Sequence, residues 1–365
     1  MKQIAWCAVL SVALAISGCG SGTEGANTSS ESTPQTTPPG GNVPSASGTF
    51  GGGQGKILFA EGLNFPNSVS EFDLATRQVH TLAIVRPAIS FAIDGGVTRA
   101  NDGTFAVTGH DLSEPLAKTI VHHYQANGTF IHGWILDRAF FEGGALSPDA
   151  KSVALAQSTV FEDRLQIVIL DLQSGKTVSG DLLGTNDSPH NKADLHASAV
   201  WSPAGELYVI SEVGLHRVDR LTGAATLVHA VSLFHPRSPM MTPDARTIYF
   251  DQLSGNPRGG TIWSMELASG TLTRRSVRSN DGDQYSPMLS PDGEWMLLQE
   301  VNSAAGAIAP APINAPNPLS GSLSVPFVVS AVRLSEPPPD TQNLLIKIVD
   351  VSGRAHSARG RMVWY

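Results

Sequence analysis

The stretch Ser286-Pro-Met-Leu-Ser-Pro-Asp-Gly-Glu-Trp-Met-Leu-Leu-Gln-Glu-Val301 places a tight-turn sequence between two short apolar runs. Pro291 fixes φ for the second position of a turn, and Asp292 can accept a hydrogen bond from the nearby backbone. Gly293 tolerates the left-handed conformation that a three-residue hairpin loop needs. Because both apolar runs have the length of a strand, the stretch predicts a β-hairpin.

The same turn signal returns in looser copies along the chain after residue 50, and each copy precedes a run of strand length. A second signal follows each of these runs. It is a strand that ends in a five-residue pattern: an acid, an apolar residue, any residue, Ser or Thr, and then Gly. Two turn signals in fixed order, with a period of roughly 40 to 55 residues, predict four-stranded units arranged as a β-propeller. The clearest copies of the first signal are Ser147–Ala150, Ser202–Gly205 and Thr242–Ala245, with a weaker copy at Ala100–Gly103, and those of the second are Asp171–Gly175, Glu266–Gly270 and Asp350–Gly353.

These repeats resemble the WD40-like repeats of TolB-type propellers, and the resemblance covers Gly53 to Tyr365. It implies an all-β fold, a six-bladed β-propeller. TolB proteins carry an additional N-terminal domain that has no counterpart in this sequence, and they are soluble in the periplasm. A role in the Tol–Pal envelope system is therefore only an analogy from fold.

The two ends of the propeller segment predict how its ring closes. The first repeat begins directly with its second strand, Lys56–Ala60, and has no apolar run ahead of it. The chain ends in Gly360–Tyr365, which is similar to the innermost strands of the other repeats. We expect Met362 to Tyr365 to be the innermost strand of the first blade, pairing antiparallel with Lys56–Ala60, and the outer strand of the last blade to lie around Ala355 to Arg359. Closure of this kind removes two exposed sheet edges.

The N-terminus predicts export and lipidation. A positive start, an apolar run from Ile4 to Ile16 and small residues form a signal peptide over residues 1–18. The run is too short to span a membrane. Its end, Ala15-Ile-Ser-Gly-Cys19, resembles the bacterial lipobox, which implies that Cys19 is acylated and is the membrane anchor. The alternative is an ordinary secretory signal with an incidental cysteine.

Residues 19–53 follow as a predicted tether. Their composition is Gly, Ser, Thr, Pro and Asn with almost no large apolar side chain, so they cannot bury enough surface to offset chain entropy and should be disordered. The propeller is expected to occupy residues 54–365. Gly20 follows the cysteine where inner-membrane lipoproteins carry Asp, which by that resemblance favours the outer membrane, with either leaflet possible.

The last repeat contains a predicted insertion within residues 302–343. The spacing between its two turn signals is much longer than in the other repeats, and the extra sequence is rich in Pro and Ala. Loops of such length inside a compact domain are usually functional or disordered. The alternatives are a partner-binding or lid segment and a tolerated surface insertion. Deletion of Ala305 to Pro339, which includes the apolar run Phe327 to Leu334, is expected to leave melting nearly unchanged, because loop length alters closure entropy only slowly.

Propeller geometry predicts a ligand-binding face. The loops that join the second and third strands of each blade, and those that lead into the next blade, lie on the face where propellers usually bind ligands. His190, His196 and His235 fall in these loops. Residues just before each turn signal should surround the mouth of the central channel, with polar side chains of mixed sign. This candidate ligand-binding set is Asp94, Glu142, His196, Arg237, Gln284 and Tyr285.

Two functions fit this pattern. The first is a non-enzymatic envelope scaffold, a monomer that binds a protein, peptide or glycan on that face without a cofactor. The second is a metal-dependent enzyme, similar to six-bladed lactonases or pectate-degrading lyases, with His and acid ligands from several blades. No nucleophile elbow or zinc-binding spacing supports catalysis, so the first is favoured and no catalytic or metal-binding residue is assigned. A formal net charge of −8 without a basic cluster argues against nucleic acid.

Overall fold

A computed structural model of the protein describes residues 55–61, 68–76, 78–85, 91–111, 118–137, 144–157, 165–182, 196–255, 258–275, 282–293, 295–302, 328–333, 344–347 and 358–365. All of the described residues belong to one compact unit within Val43–Tyr365. Every regular element in these ranges is a β-strand. The described part of the chain contains no helix of the length and apolarity that crossing a membrane requires.

The strands form four-stranded antiparallel units that follow one another along the chain. The first three units are β1 (Lys56–Glu61), β2 (Ser68–Asp73) and β3 (Val79–Ile84); β4 (Phe91–Arg99), β5 (Phe105–Asp111), β6 (Lys118–Tyr124) and β7 (Phe130–Leu136); and β8 (Gly144–Leu146), β9 (Ser152–Gln157), β10 (Gln166–Asp171) and β11 (Thr177–Asp181). The fourth strand of the first unit comes from the chain end, as described below.

The last three units have the same order. They are β12 (Ala197–Trp201), β13 (Leu207–Ser211), β14 (Gly214–Val218) and β15 (Ala225–Ala230); β16 (Pro236–Met241), β17 (Thr247–Gly255), β18 (Arg258–Glu266) and β19 (Leu272–Arg274); and β20 (Gly282–Leu289), β21 (Trp295–Asn302), β22 (Val328–Arg333) and β23 (Leu344–Lys347). The final strand, β24 (Ala358–Trp364), pairs with β1 and completes the first unit in the order β3-β2-β1-β24.

The first strands of the units line a closed ring. Each of β4, β8, β12, β16 and β20 contacts the next in chain order, β20 contacts β24, and β24 contacts β4. The last of these contacts is a parallel bridge between Arg361 and Gly96, which joins the first two units into one eight-stranded sheet. The fold is a β-propeller, as the sequence predicts, and from the pairing and the inner-strand contacts we infer six blades.

Closure by the C-terminal strand is confirmed. β24 pairs antiparallel with β1, with Ile57 opposite Trp364 and Leu58 opposite Val363. The predicted position of the outer strand around Ala355 to Arg359 is wrong, because Ala358 and Arg359 already belong to β24. In the structure the outer strand of the last unit is β23, which pairs with β22.

The predicted insertion contains a strand of the sheet. β22 lies inside residues 302–343 and pairs with β21 over six residues, from Trp295 opposite Arg333 to Glu300 opposite Val328. The expectation that the apolar run Phe327 to Leu334 belongs to a dispensable loop is therefore wrong for Val328–Arg333. The physical reason is that the edge of β21 needs a partner, and this β-branched run supplies it. The turn signal Asp350–Gly353 lies outside the described residues.

The Ser-Pro-Asp turns share a hydrogen-bond pattern that explains the sequence repeat. In the third unit Ser147 Oγ donates to Asp149 Oδ1 at 2.6 Å and accepts from the backbone N–H of Ser152 at 2.9 Å. The same pair of bonds forms from Thr242 in the fifth unit and from Ser290 in the sixth. Each hydroxyl therefore fixes its turn and the first residue of the following strand.

Apolar cores lie between neighbouring units. One large cluster combines Ile167 and Ile169 of the third unit with Trp201 and Val209 of the fourth. The Trp201 indole N–H donates to the backbone oxygen of Ala145 at 2.8 Å, so its polar atom is also satisfied between the two units. Because each unit buries its faces against its neighbours, the ring holds the strand ends that form the channel mouth in fixed positions.

Candidate functional site

The candidate ligand-binding residues that the structure describes belong to one end of the ring. Every unit has the same strand order, so every inner strand begins at the same end, which we call the channel mouth. The structure places Asp94 in β4, where the pairing with β5 is interrupted, His196 directly before β12, Arg237 in β16, and Gln284 and Tyr285 in β20. Glu142 lies outside the described residues.

A buried ion pair between Arg237 and Asp251 lies at the channel mouth, and Asp251 links the fifth unit to the sixth. Its side chain is 8% exposed, and its Nε and Nη2 lie 3.1 and 3.0 Å from Oδ2 of Asp251, which is 1% exposed. The other carboxylate oxygen of Asp251 accepts a hydrogen bond from the backbone N–H of Ser286 at 3.3 Å. A buried ion pair of this kind is costly to break from one side, by about 3 to 5 kcal/mol, because the remaining charge is left buried. Arg237 therefore has a structural partner as well as a place at the channel mouth.

A repeated Ser-Pro bulge shapes the two inner strands beside this pair. Ser238 and Ser286 take φ of 48° and 47°, and both precede a proline. The register with the next strand shifts at each place, between Arg237 and Met240 and between Tyr285 and Met288. The two hydroxyl oxygens are 3.5 Å apart. Bulges re-aim side chains and often occur beside functional sites.

A second cluster lies where the chain enters the fourth and fifth units. The His196 and His235 rings meet edge to face with centroids 4.2 Å apart, and Phe234 meets His235 at 4.2 Å. His235 Nδ1 is 3.5 Å from Oε1 of Glu212, which lies between β13 and β14 and is 2% exposed. His235 takes φ of 46°, an uncommon conformation for a residue that is not glycine. We call His196, Glu212 and His235 the histidine cluster.

The structure thus brings together His196 and His235, both from loops that the sequence indicates. It also places Glu212 beside His235 and Asp251 beside Arg237. The sequence gives no signal for these two acids, because each directly follows or ends an apolar strand run and neither belongs to a repeated motif. Among the described residues, no three His, Cys, Asp or Glu side chains are placed to hold a metal ion. The arrangement can form hydrogen bonds and ion pairs with a ligand at the channel mouth.

The ring interior is bridged below this surface. Arg361, in β24, is 5% exposed, and its Nη2 donates to Ser198 Oγ in β12 at 2.6 Å. Gly96 lies against the backbone of β24 here, and a Cβ at Gly96 would be 2.1 Å from the Arg361 nitrogen, so only glycine fits. A ligand that enters from the channel mouth meets this Arg–Ser bridge.

No family model and no curated protein sequence matches the chain. Among solved structures, it is similar to a protein of unknown function from Bacteroides caccae, with a TM-score of 0.53, 9% identity, and coverage of 85% of this chain and 98% of that one. It is also similar to a chain of a nidogen/laminin complex, with a TM-score of 0.52, 10% identity, and coverage of 85% and 97%. At such identities the likeness shows the fold alone, and the class that it defines is the β-propeller.

TolB from Acinetobacter baumannii aligns with a TM-score of 0.49 at 13% identity. The alignment covers 85% of this chain and 66% of the TolB chain, so the chain spans slightly less than two thirds of that protein.

Proposed function

We propose that this protein is a binding module of the bacterial cell envelope, a propeller that recognises a protein, peptide or glycan at the channel mouth. A lipid on Cys19 anchors it to the membrane, with the outer membrane favoured, and residues 19–53 act as the tether. The observation that carries this proposal is the convergence of the histidine cluster and the Arg237–Asp251 pair on one end of the ring. These groups come from two consecutive units, the fourth and the fifth.

The chemistry at the channel mouth favours recognition over catalysis. Arg237 and Asp251 neutralise each other, and the two imidazoles of the histidine cluster pack edge to face. A metal-dependent enzyme, the alternative, needs at least three ligands around one point, and the described residues offer no such set. Imidazole, guanidinium and carboxylate groups that are already positioned can instead give directional hydrogen bonds to a polar ligand at low entropic cost.

Site-specific photocrosslinking in the bacterium that makes the protein tests this proposal. A photoreactive residue is placed at His196 and, as a matched control, at Leu221, which is 81% exposed in the turn between β14 and β15 at the other end of the ring. The expected result is one discrete crosslinked species from position 196 and none from position 221. Crosslinking of equal strength and pattern from both positions would contradict recognition at the channel mouth.

A chelation arm separates the binding module from the metal enzyme. The crosslink at position 196 should be unchanged when cells are permeabilised and treated with EDTA, because the proposed recognition needs no metal. Loss of the crosslink with EDTA and its return with Zn²⁺ would favour the enzyme instead.

A further inference from the structure

The outer edge of the second unit carries an apolar strand that no other described strand covers. β7 is the last strand in the order β4-β5-β6-β7, so its outer backbone groups have no partner strand among those described. Its sequence, Phe-Ile-His-Gly-Trp-Ile-Leu, contains no charged residue. Three of its large apolar side chains are exposed, Phe130 by 53%, Ile131 by 44% and Ile135 by 63%.

Three of the other described outer strands are short and end in a charged residue. β19 has three residues and ends in Arg274, and β23 has four and ends in Lys347. β11 has five and ends in Asp181. β3 and β15 have six residues each and expose one large apolar side chain each, Ile84 and Val228. Short edges and charges block unwanted pairing. β3, β7 and β15 lack both protections, and of these three strands β7 is the longest and exposes the most large apolar side chains.

A pocket lies on β7 around Gly133. Its volume is about 340 Å³. A Cβ at Gly133 would be 2.8 Å from Cδ2 of His122 and 3.3 Å from Cζ of Phe130, so an added methyl group would push against rings that line the pocket and change its shape. This volume is near the lower limit of ligand sites, which fits one bulky side chain. Its lining residues are Ile120, His122, Phe130, His132, Trp134 and Ile135.

The exposed area is too small for a stable dimer of this protein. An aromatic side chain buries roughly 150 to 250 Å², so the exposed half of Phe130 offers on the order of 100 Å². With Ile131 and Ile135 the apolar patch offers roughly 300 Å² per copy, against the ~800 Å² per partner of a standard interface. Each copy also carries a formal charge of −8, and two like-charged copies repel.

We propose that β7 is a strand-addition site for an extended peptide segment of another protein, which pairs with its outer edge and inserts one bulky apolar side chain into the pocket at Gly133. The segment is neutral or basic, because the propeller is acidic overall. Main-chain hydrogen bonds supply affinity in this mode, and pockets for alternate side chains supply specificity. The surface is on the side of the ring, so the inference is independent of recognition at the channel mouth.

The test uses a fluorescent peptide, Lys-Thr-Val-Thr-Phe-Thr-Val-Thr-Lys, and a matched peptide with Asp in place of Phe. Fluorescence anisotropy with the full chain should give a weak Kd for the first peptide, on the order of 100 μM, and binding at least tenfold weaker for the second. Gly133→Ala and Ile135→Lys should each weaken binding by about tenfold or more. The control Val228→Lys, at an exposed position on β15, should change Kd by less than about twofold.

Two N-methylated peptides test the pairing itself. An extended peptide presents alternate backbone amides to opposite sides, so methylation of one alternate set should abolish binding and methylation of the other should not. The proposal is overturned if the Phe and Asp peptides bind equally, if neither or both methylated peptides lose binding, or if Val228→Lys weakens binding as much as Ile135→Lys. It is also overturned if sedimentation shows a dimer that Ile135→Lys dissociates, because the occupant would then be a second copy. Thermal melting of each variant verifies that the fold is retained.

Discussion

Arg361 Nη2 donates a hydrogen bond of 2.6 Å to Ser198 Oγ, although the two residues are 163 positions apart. Arg361 lies in β24, the inner strand of the first unit, and Ser198 in β12, the inner strand of the fourth. In a ring of six units the first and fourth face each other, so this bond crosses the channel. The C-terminal strand therefore closes the ring at its edge and also braces it across its centre.

The brace should contribute measurably to stability. Arg361→Met removes a buried charge-assisted hydrogen bond, and we expect the free energy of unfolding to fall by about 1.5 to 3 kcal/mol. Ser198→Ala should lower it by a smaller amount, and the double variant should lose less than the sum of the two, with an interaction term of about 1 kcal/mol or more. Urea denaturation of the four proteins measures this cycle. Strict additivity would show that the bond does not couple the two strands.

Cys19→Ser should abolish lipidation, because only the Cys19 thiol can take the diacylglyceryl group. The substituted protein should move from the membrane fraction to the soluble envelope fraction. Metabolic labelling with a fatty acid and fractionation measure both effects, and Cys7→Ser, inside the predicted signal peptide, is the control. An acylated Cys19→Ser protein that remains with membranes would show that the lipobox resemblance is misleading.

The sequence predicts the repeating unit well because the repeat is local chemistry. The Ser147 hydroxyl bonds to Asp149 and to the backbone of Ser152, two and five positions further along, so the motif is visible along the chain. The motif even tolerates Ala150 and Ala245, which take φ of 57° where glycine would be unstrained. The match of Met362–Tyr365 to other inner strands likewise predicted ring closure.

The channel mouth could not be predicted in the same way, because its contacts join different units. Asp251 accepts a hydrogen bond from Ser286, 35 positions further along the chain. Glu212 contacts His235, and the hairpin of β14 and β15 lies between them in the sequence. Nothing in the spacing of such pairs repeats. The prediction of the last unit was wrong for a related reason. A long stretch separates β22 from its partner β21, so the pair is not found at the usual distance along the chain.

β22 should be essential for stability, whereas residues 303–327, which precede it, should not. Ser330 lies in the centre of β22 opposite Leu298, between β21 and β23. Ser330→Pro removes a ladder donor and should lower the melting temperature by many degrees, because proline is not tolerated in a central strand. Ser320→Pro, between the two strands, and deletion of residues 303–327 should change melting by only a few degrees. Equal effects of the two prolines would contradict the pairing of β22 with β21.

Stability should fall as the pH drops from about 7.5 to about 5.5. Burial lowers the pKa of His122 and of His123 below the ordinary value of 6.5, with Asp102 partly opposing the shift at His123. The unfolded chain therefore takes up protons first as the pH falls, which favours unfolding below the unfolded pKa. His122→Phe keeps a ring against Phe130 and should flatten this pH dependence. Thermal melts across this pH range measure the difference.

Tyr365 holds the last strand against the first unit through several contacts. Tyr365 exchanges two backbone hydrogen bonds with Lys56, at 2.7 and 2.9 Å, and its hydroxyl donates to Glu71. The Arg99 guanidinium lies 3.8 Å from the centre of the Tyr365 ring. Burial first, and then the bond to Glu71, raise the pKa of Tyr365, so the hydroxyl stays protonated and donating at neutral pH. Glu71 also pairs with Lys56 Nζ at 2.5 Å.

Deletion of residues 360–365 removes most of β24, including the residues opposite Ile57, Leu58 and Gly96, and so opens an edge on β1 and on β4. We expect a sharp loss of melting temperature together with concentration-dependent oligomers, because exposed strand edges pair with other chains. Tyr365→Phe removes only the hydroxyl bond and should lower the free energy of unfolding by about 1 kcal/mol, with the protein still monomeric. Deletion of residues 20–45, in the predicted tether, is the matched control and should change neither quantity. Melting curves and sedimentation measure both effects, and a monomeric truncation with unchanged melting would rule out ring closure by β24.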